Sequence, residues 1–155
     1  MAEELLKAAG NWKGTGTDRR KELLNKKAGN REKGDPDSAL TFASRYGHVE
    51  VAKLLLSNGF DVDYELNREG FYTSLHRACA NGHVEVAQLL LSHFSKLGKL
   101  GKYLNQKTHN DGAMTSLMLA AKNGYTHMVR MLLLITSDDL LMTTDDLLMT
   151  SDDVW

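Results

Sequence analysis

Apolar positions recur at helical spacing in two nearly identical stretches. Gly47 to Ser57 reads Gly-His-Val-Glu-Val-Ala-Lys-Leu-Leu-Leu-Ser, and Gly82 to Ser92 repeats it with the single change of Lys53 to Gln88. Val51, Leu54 and Leu55 fall at i, i+3 and i+4, and Ala52, Leu55 and Leu56 do the same. The spacing predicts a helix whose apolar sector is too broad for a single neighbour. Such a helix must be sandwiched, on one side by a partner helix of its own unit and on the other by the next unit. The two glycines stand 35 positions apart, a period at which one supersecondary unit stacks on the next.

The partner helix precedes each copy. Thr73 to Asn81 reads as a short helix with Thr73 as N-cap and Gly82 as its stop, and Ala78 and Cys79 are small enough for close approach. The pattern Thr-x-Leu-His, then Ala and a small residue, then Gly-His and a leucine run resembles the ankyrin repeat. Ser38 to Ser44 is a looser copy, with Thr41 in the histidine position, and Thr115 to Ala121 leads through Gly124 to Met128-Val129-Arg130-Met131-Leu132-Leu133 as a degenerate one. The resemblance implies an all-α solenoid of stacked helix-turn-helix units with projecting hairpin loops. Repeats are expected at about 2–30, 34–63, 67–104 and 108–136, making residues 1–136 one ankyrin-repeat domain.

The first unit differs. Glu4 to Ala9 and Arg19 to Lys27 align with its two helices, and residues 1–34 carry nine Lys or Arg against five acids. A polar capping repeat needs such a solvated outer face. A basic end could also attract an acidic partner or RNA, but beyond Trp12 no aromatic interleaving supports nucleic acid. Turn residues fall at Gly34-Asp35-Pro36-Asp37, Asn67 to Tyr72 and Asn110 to Met114, where the family places its fingers. After Ser92 the period lengthens, Gly82 to Gly124 being 42 positions. The segment 92–104 is expected as a lengthened helix followed by a loop, because Gly98 and Gly101 each weaken a helix by about 1 kcal/mol; a three-lysine anion site is the alternative.

Residues 137–155 follow a different rule. Ser-Asp-Asp-Leu-Leu-Met-Thr from Ser137 is followed by Thr-Asp-Asp-Leu-Leu-Met-Thr and then by Ser-Asp-Asp-Val-Trp. On a helix the leucines Leu140, Leu141, Leu147 and Leu148, with Val154 and Trp155, share one sector opposite six aspartates. This acidic, leucine-rich extension is expected to form a helical cap on the last repeat. Two alternatives stay open: a docking peptide for another protein's groove, and, given the regularity, a designed scaffold without a natural ligand.

Composition adds limits. A hydrophobic fraction of 42% with 25% charged residues fits a folded domain, and a formal net charge of −1 gives no overall attraction to nucleic acid or anionic lipid. The single Cys79 excludes an internal disulfide and fits a reducing compartment; with no membrane-length apolar run and no signal-like N-terminus, a cytoplasmic or nuclear location is expected. Cys79 and His83 have a spacing metal ligands can use, but a turn intervenes and no second pair follows, so no metal site is expected. Nucleophile-elbow and phosphate-loop glycine patterns are absent, and neither catalysis nor a cofactor is expected.

By resemblance, partners bind ankyrin proteins through finger tips and exposed first-helix positions. Those positions are Arg68, Glu69, Phe71, Tyr72, Asp111 and Met114 in the fingers and Arg45, Tyr46, Arg77, Asn81, Lys122 and Asn123 on the helices. Phe71 and Tyr72 could equally cover the finger base. The expectation is a monomeric protein-binding scaffold, with tail-mediated dimers as a further possibility. His76 is expected to tie its repeat to a neighbouring finger, and His48 and His83 to bond locally.

Overall fold

Hydroxyl residues start the first helices and glycines stop them. The computed structural model describes residues 24, 27–28, 37–66, 72–108 and 112–136. Its elements in order are β1 (Lys27–Ala28), β2 (Asp37–Ser38), α1 (Ala39–Tyr46), α2 (Val49–Ser57), α3 (Asp63–Leu66), α4 (Ser74–Asn81), α5 (Val84–Lys96), α6 (Leu100–Asn105), α7 (Ser116–Lys122) and α8 (Thr126–Thr136). Ser38, Thr73 and Thr115 take extended backbone, and each accepts at its side-chain oxygen from an N–H in the first turn of α1, α4 or α7. Gly47 and Gly82 end α1 and α4 in the left-handed conformation, at φ 73° and 74°.

The helices form pairs α1–α2, α4–α5 and α7–α8. First helices stack in a row, α1 on α4 and α4 on α7, while α2 packs on α5 behind them. Leu40, Ala43, Leu75, Ala78, Cys79 and Ala120 from the first helices meet Ala52, Val86, Ala87, Leu90, Met128 and Leu132 from the second in one continuous core. Matched positions reveal the direction of stacking. Val51 is 48% exposed where its equivalents Val86 and Met128 are at 0%, whereas Leu133 is 52% exposed where Leu56 and Leu91 are at 8% and 4%. Each second helix therefore turns one apolar edge to the preceding unit and the other to the following one, as a one-dimensional array requires.

Two expectations are corrected here. The second helix of the first unit was to run from Arg19 through Lys27; Leu24 is helical, but Lys27 and Ala28 pair antiparallel with Ser38 and Asp37. The hairpin takes the backbone bonds that a longer helix would need. The segment after Ser92 is not a loop. Helix α5 runs to Lys96, Gly98 turns the chain at φ 66°, and α6 folds back so that Tyr103 stacks on Phe94 with ring centroids 3.6 Å apart and planes 6° from parallel. Both rings are fully buried, the Tyr103 hydroxyl donates to the Val62 carbonyl, and Lys99 pairs with Asp63. These tertiary contacts outweigh the helix penalty of the two glycines. The expected helices before residue 24 and the extension 137–155 lie outside the described residues.

Candidate functional site

The row of first helices creates a surface with a periodic floor and rim. Near the end of each first helix two matched positions look outward: Arg45 and Tyr46 on α1, Ala80 and Asn81 on α4, Lys122 and Asn123 on α7. Of these Tyr46 is the most prominent, 58% exposed and stacked on the exposed Phe42 at 6.4 Å with planes 5° apart. The ring of His48 lies 6.2 Å from that of Tyr46, so His48 does contact locally, and the Arg45 guanidinium sits 5.9 Å from the Tyr46 centroid. An aromatic pair beside a cation is the composition of an interface anchor.

Below the rim lies a charged floor. Asp37, itself buried, accepts from Arg77 Nε and Nη2 at Oδ1, at 3.1 and 3.0 Å, and from Arg45 Nη1 at Oδ2, at 3.2 Å. The Arg77 guanidinium also lies over the Tyr72 ring, 4.4 Å from its centroid, and Tyr72 meets His76 edge-on at 6.0 Å. Arg77 and the half-buried Tyr72 are thus tied into the base of the second finger, and the covering role weighed for Tyr72 is the one its geometry fits. Asn81 Nδ2 donates to the Arg77 carbonyl at 2.8 Å, and Asn123 Nδ2 crosses to the preceding unit to donate to the Ala80 carbonyl at 2.9 Å. Lys122 is exposed on α7. Met114 closes the third finger with Thr108: their backbones bond at 3.0 Å and the Thr108 hydroxyl accepts from Met114 N–H at 3.2 Å. Arg68, Glu69, Phe71 and Asp111 lie outside the described residues.

Two buried titratable groups hold the units in register. His76 Nε2 donates to the Gln106 carbonyl at 3.0 Å, while Nδ1 accepts from the Thr73 N–H at 3.2 Å and the Thr73 hydroxyl at 2.9 Å. One nitrogen donating and the other accepting describes a neutral ring. Burial pushes its pKa down to about 4, with the nearby Arg77 charge acting in the same direction and the Gln106 bond against it. Glu65, on α3, accepts from the Ser74 N–H and hydroxyl at 2.9 and 2.8 Å and from the Ser38 hydroxyl at 3.3 Å, joining the starts of α4 and α1. Complete burial raises its carboxyl to about 7 despite those three donors.

His83 corrects another expectation. It does not bond locally; Nε2 donates to the Arg45 carbonyl in the preceding unit at 3.0 Å. That bond also occupies one of the two side chains considered as metal ligands. The other, Cys79, is a core residue whose thiol burial pushes up to about 12. Among the described residues no group of three or more His, Cys, Asp or Glu could hold a metal ion, and no helix is long and apolar enough to cross a membrane. Phe42 was not among the sequence-predicted contacts. Its signal was available, since it precedes Tyr46 by four residues on one helix.

Comparison with known proteins fits this arrangement. The family model described as ankyrin repeats in three copies matches residues 5–99, and a single ankyrin repeat matches 114–144. The chain belongs to the ankyrin-repeat family. Among solved structures it is similar to the human ASB11 ankyrin repeat domain, at 27% identity and a TM-score of 0.50. That match covers 64% of this chain and 40% of the other, so the chain spans less than half the length of that relative. No curated protein matches the chain. Ankyrin repeats are general protein–protein interaction modules, and the family is generally non-enzymatic.

Proposed function

We propose that this ankyrin-repeat chain is a non-catalytic scaffold that binds a protein partner across its first-helix surface, with Phe42 and Tyr46 as the apolar anchor. The exposed parallel stack of Phe42 on Tyr46 carries the reading. Two aromatic rings held by a rigid helix lose little conformational freedom on binding and offer much apolar area. Arg45, Asn81, Lys122 and Asn123 surround them with polar groups on the same row of helices, a rim that can fix orientation. Arg77 and Tyr72 act from beneath by holding the floor rigid. The finger residues Arg68, Glu69, Phe71, Asp111 and Met114 remain part of the proposed contact surface.

Affinity capture with matched variants tests this. Partners retained by the full chain should be lost with Phe42→Ser/Tyr46→Ala and kept with Lys53→Ala, a change on α2. Identical capture by all three chains would remove the anchor from the account. Tyr72 is a poor choice for this experiment, because its substitution also strips the cover from Arg77.

A further inference from the structure

Three observations mark the far end of the stack as an unfinished interface. Met118 occupies the position of Thr41 and His76, which are buried; Met118 is 53% exposed. Gly47 and Gly82 each have a ring of the next unit against their bare face, His83 and Tyr125, while among the described residues nothing lies within 4 Å of where a side chain on Gly124 would start. Leu133 is exposed where Leu56 and Leu91 are buried.

We propose that residues 137–155 of the same chain cover this end, laying Leu140, Leu141, Leu147 and Leu148 against Met118 and Leu133. The preceding units supply the topological reason. After α2 the chain folds back through α3, whose Glu65 reaches the start of α4; after α5 it folds back through α6 to Gln106, whose carbonyl receives His76. Forty-two positions later, the spacing between the third and fourth units, Met118 stands for His76 and Leu148 for Gln106. The family match to the last repeat likewise runs past α8 to residue 144.

Charge selects the same occupant. Residues 112–136 contain Lys122 and Arg130 and no acid, whereas residues 137–155 contain six aspartates and no base. With the leucine pairs inward, the aspartate pairs lie outward where Lys122 and Arg130 are exposed. The heptad period keeps successive leucine pairs on nearly one side over two turns each.

Amide exchange on the full chain tests the proposal, read alongside molar mass in solution and Trp155 emission in a Trp12→Phe background. The monomer should protect amides between Leu140 and Leu148. Both Met118→Asp on the end face and Leu147→Asp in the extension should remove that protection, red-shift Trp155 and lower Tm by at least about 2–4 °C. Met118 is exposed on the described stack and Leu147 lies outside the core, so neither change prevents folding of the helix pairs. An unprotected extension in the wild-type monomer overturns the proposal. So does protection that grows with protein concentration together with the mass of a dimer, which would make a second copy the cover, or protection indifferent to Met118→Asp.

Discussion

His83 is seated on Gly47. A methyl group on Gly47 would come within 2.6 Å of His83 Nδ1, while the same ring donates through Nε2 to the Arg45 carbonyl at 3.0 Å. The relationship recurs one unit later. A methyl on Gly82 would come within 2.7 Å of Tyr125 Cε1, and Asn123 supplies the hydrogen bond to the carbonyl of Ala80. Each first helix thus ends in a left-handed glycine whose bare side receives a ring from the following unit.

Substituting these glycines should separate backbone strain from crowding. Gly47, Gly82 and Gly124 all have φ between 73° and 75°, so alanine at any of them costs about 1–2 kcal/mol from conformation alone. At Gly47 and Gly82 the neighbouring ring must also move, and at Gly47 that movement breaks the Arg45 bond. Urea unfolding should show Gly47→Ala and Gly82→Ala to be more destabilising than Gly124→Ala by about 1 kcal/mol or more. Equal losses at all three positions would mean the ring contacts contribute nothing.

The buried pair His76 and Glu65 should leave opposing marks on the pH dependence of stability. For His76 the folded pKa, about 4, lies below the model value of 6.5. Its contribution is complete above 6.5 and is lost as pH falls from there toward 4, because the unfolded chain takes the proton first. For Glu65 the folded pKa, about 7, lies above the model value of 4.5. Its contribution is complete below 4.5 and is lost as pH rises toward 7. Between 4.5 and 6.5 the two slopes offset. Relative to wild type, Glu65→Gln should make stability climb with pH in this window, and His76→Gln should make it fall, each by up to about 1.4 kcal/mol per pH unit. Urea midpoints measured across the window with both variants check the signs.

Tyr103 should behave as a core residue despite the two glycines beside it. Replacing a fully buried aromatic ring by alanine typically costs about 3–5 kcal/mol, and Tyr103→Ala should fall in that range, with the Phe94 stack and the Val62 bond both lost. Tyr103→Phe keeps the stack and should cost only about 1 kcal/mol. Chemical denaturation of both variants is sufficient. A loss under about 0.5 kcal/mol for Tyr103→Ala, as for a surface substitution, would restore the loop expected from sequence.

What the sequence made legible, and what it did not, divides along a physical line. Thr73, Gly82 and the leucine run obey local rules of capping, left-handed turns and helical spacing, so the helix pair around them could be written down without coordinates. The bond from His76 toward the following finger followed from family resemblance. The seat of His83 did not, because it depends on how far one unit is offset from the last, and no short window of sequence contains that offset. Helix α6 was hidden for a related reason: Gly98 and Gly101 argue against helix locally, and only the burial of Tyr103 against Phe94 reverses the balance. Among the candidate contacts, Tyr46 and Lys122 are exposed as expected, whereas Arg77 is committed to Asp37, forty positions away in the chain.

The most direct test of the account is to place a photo-crosslinking residue at Tyr46, on the first-helix row, and separately at Lys53, on α2, and to irradiate each full-length chain with its captured partner. Crosslinks at position 46 and few or none at 53 are the predicted result. Crosslinking confined to position 53, or equal at both, would contradict a binding surface built on the row of first helices.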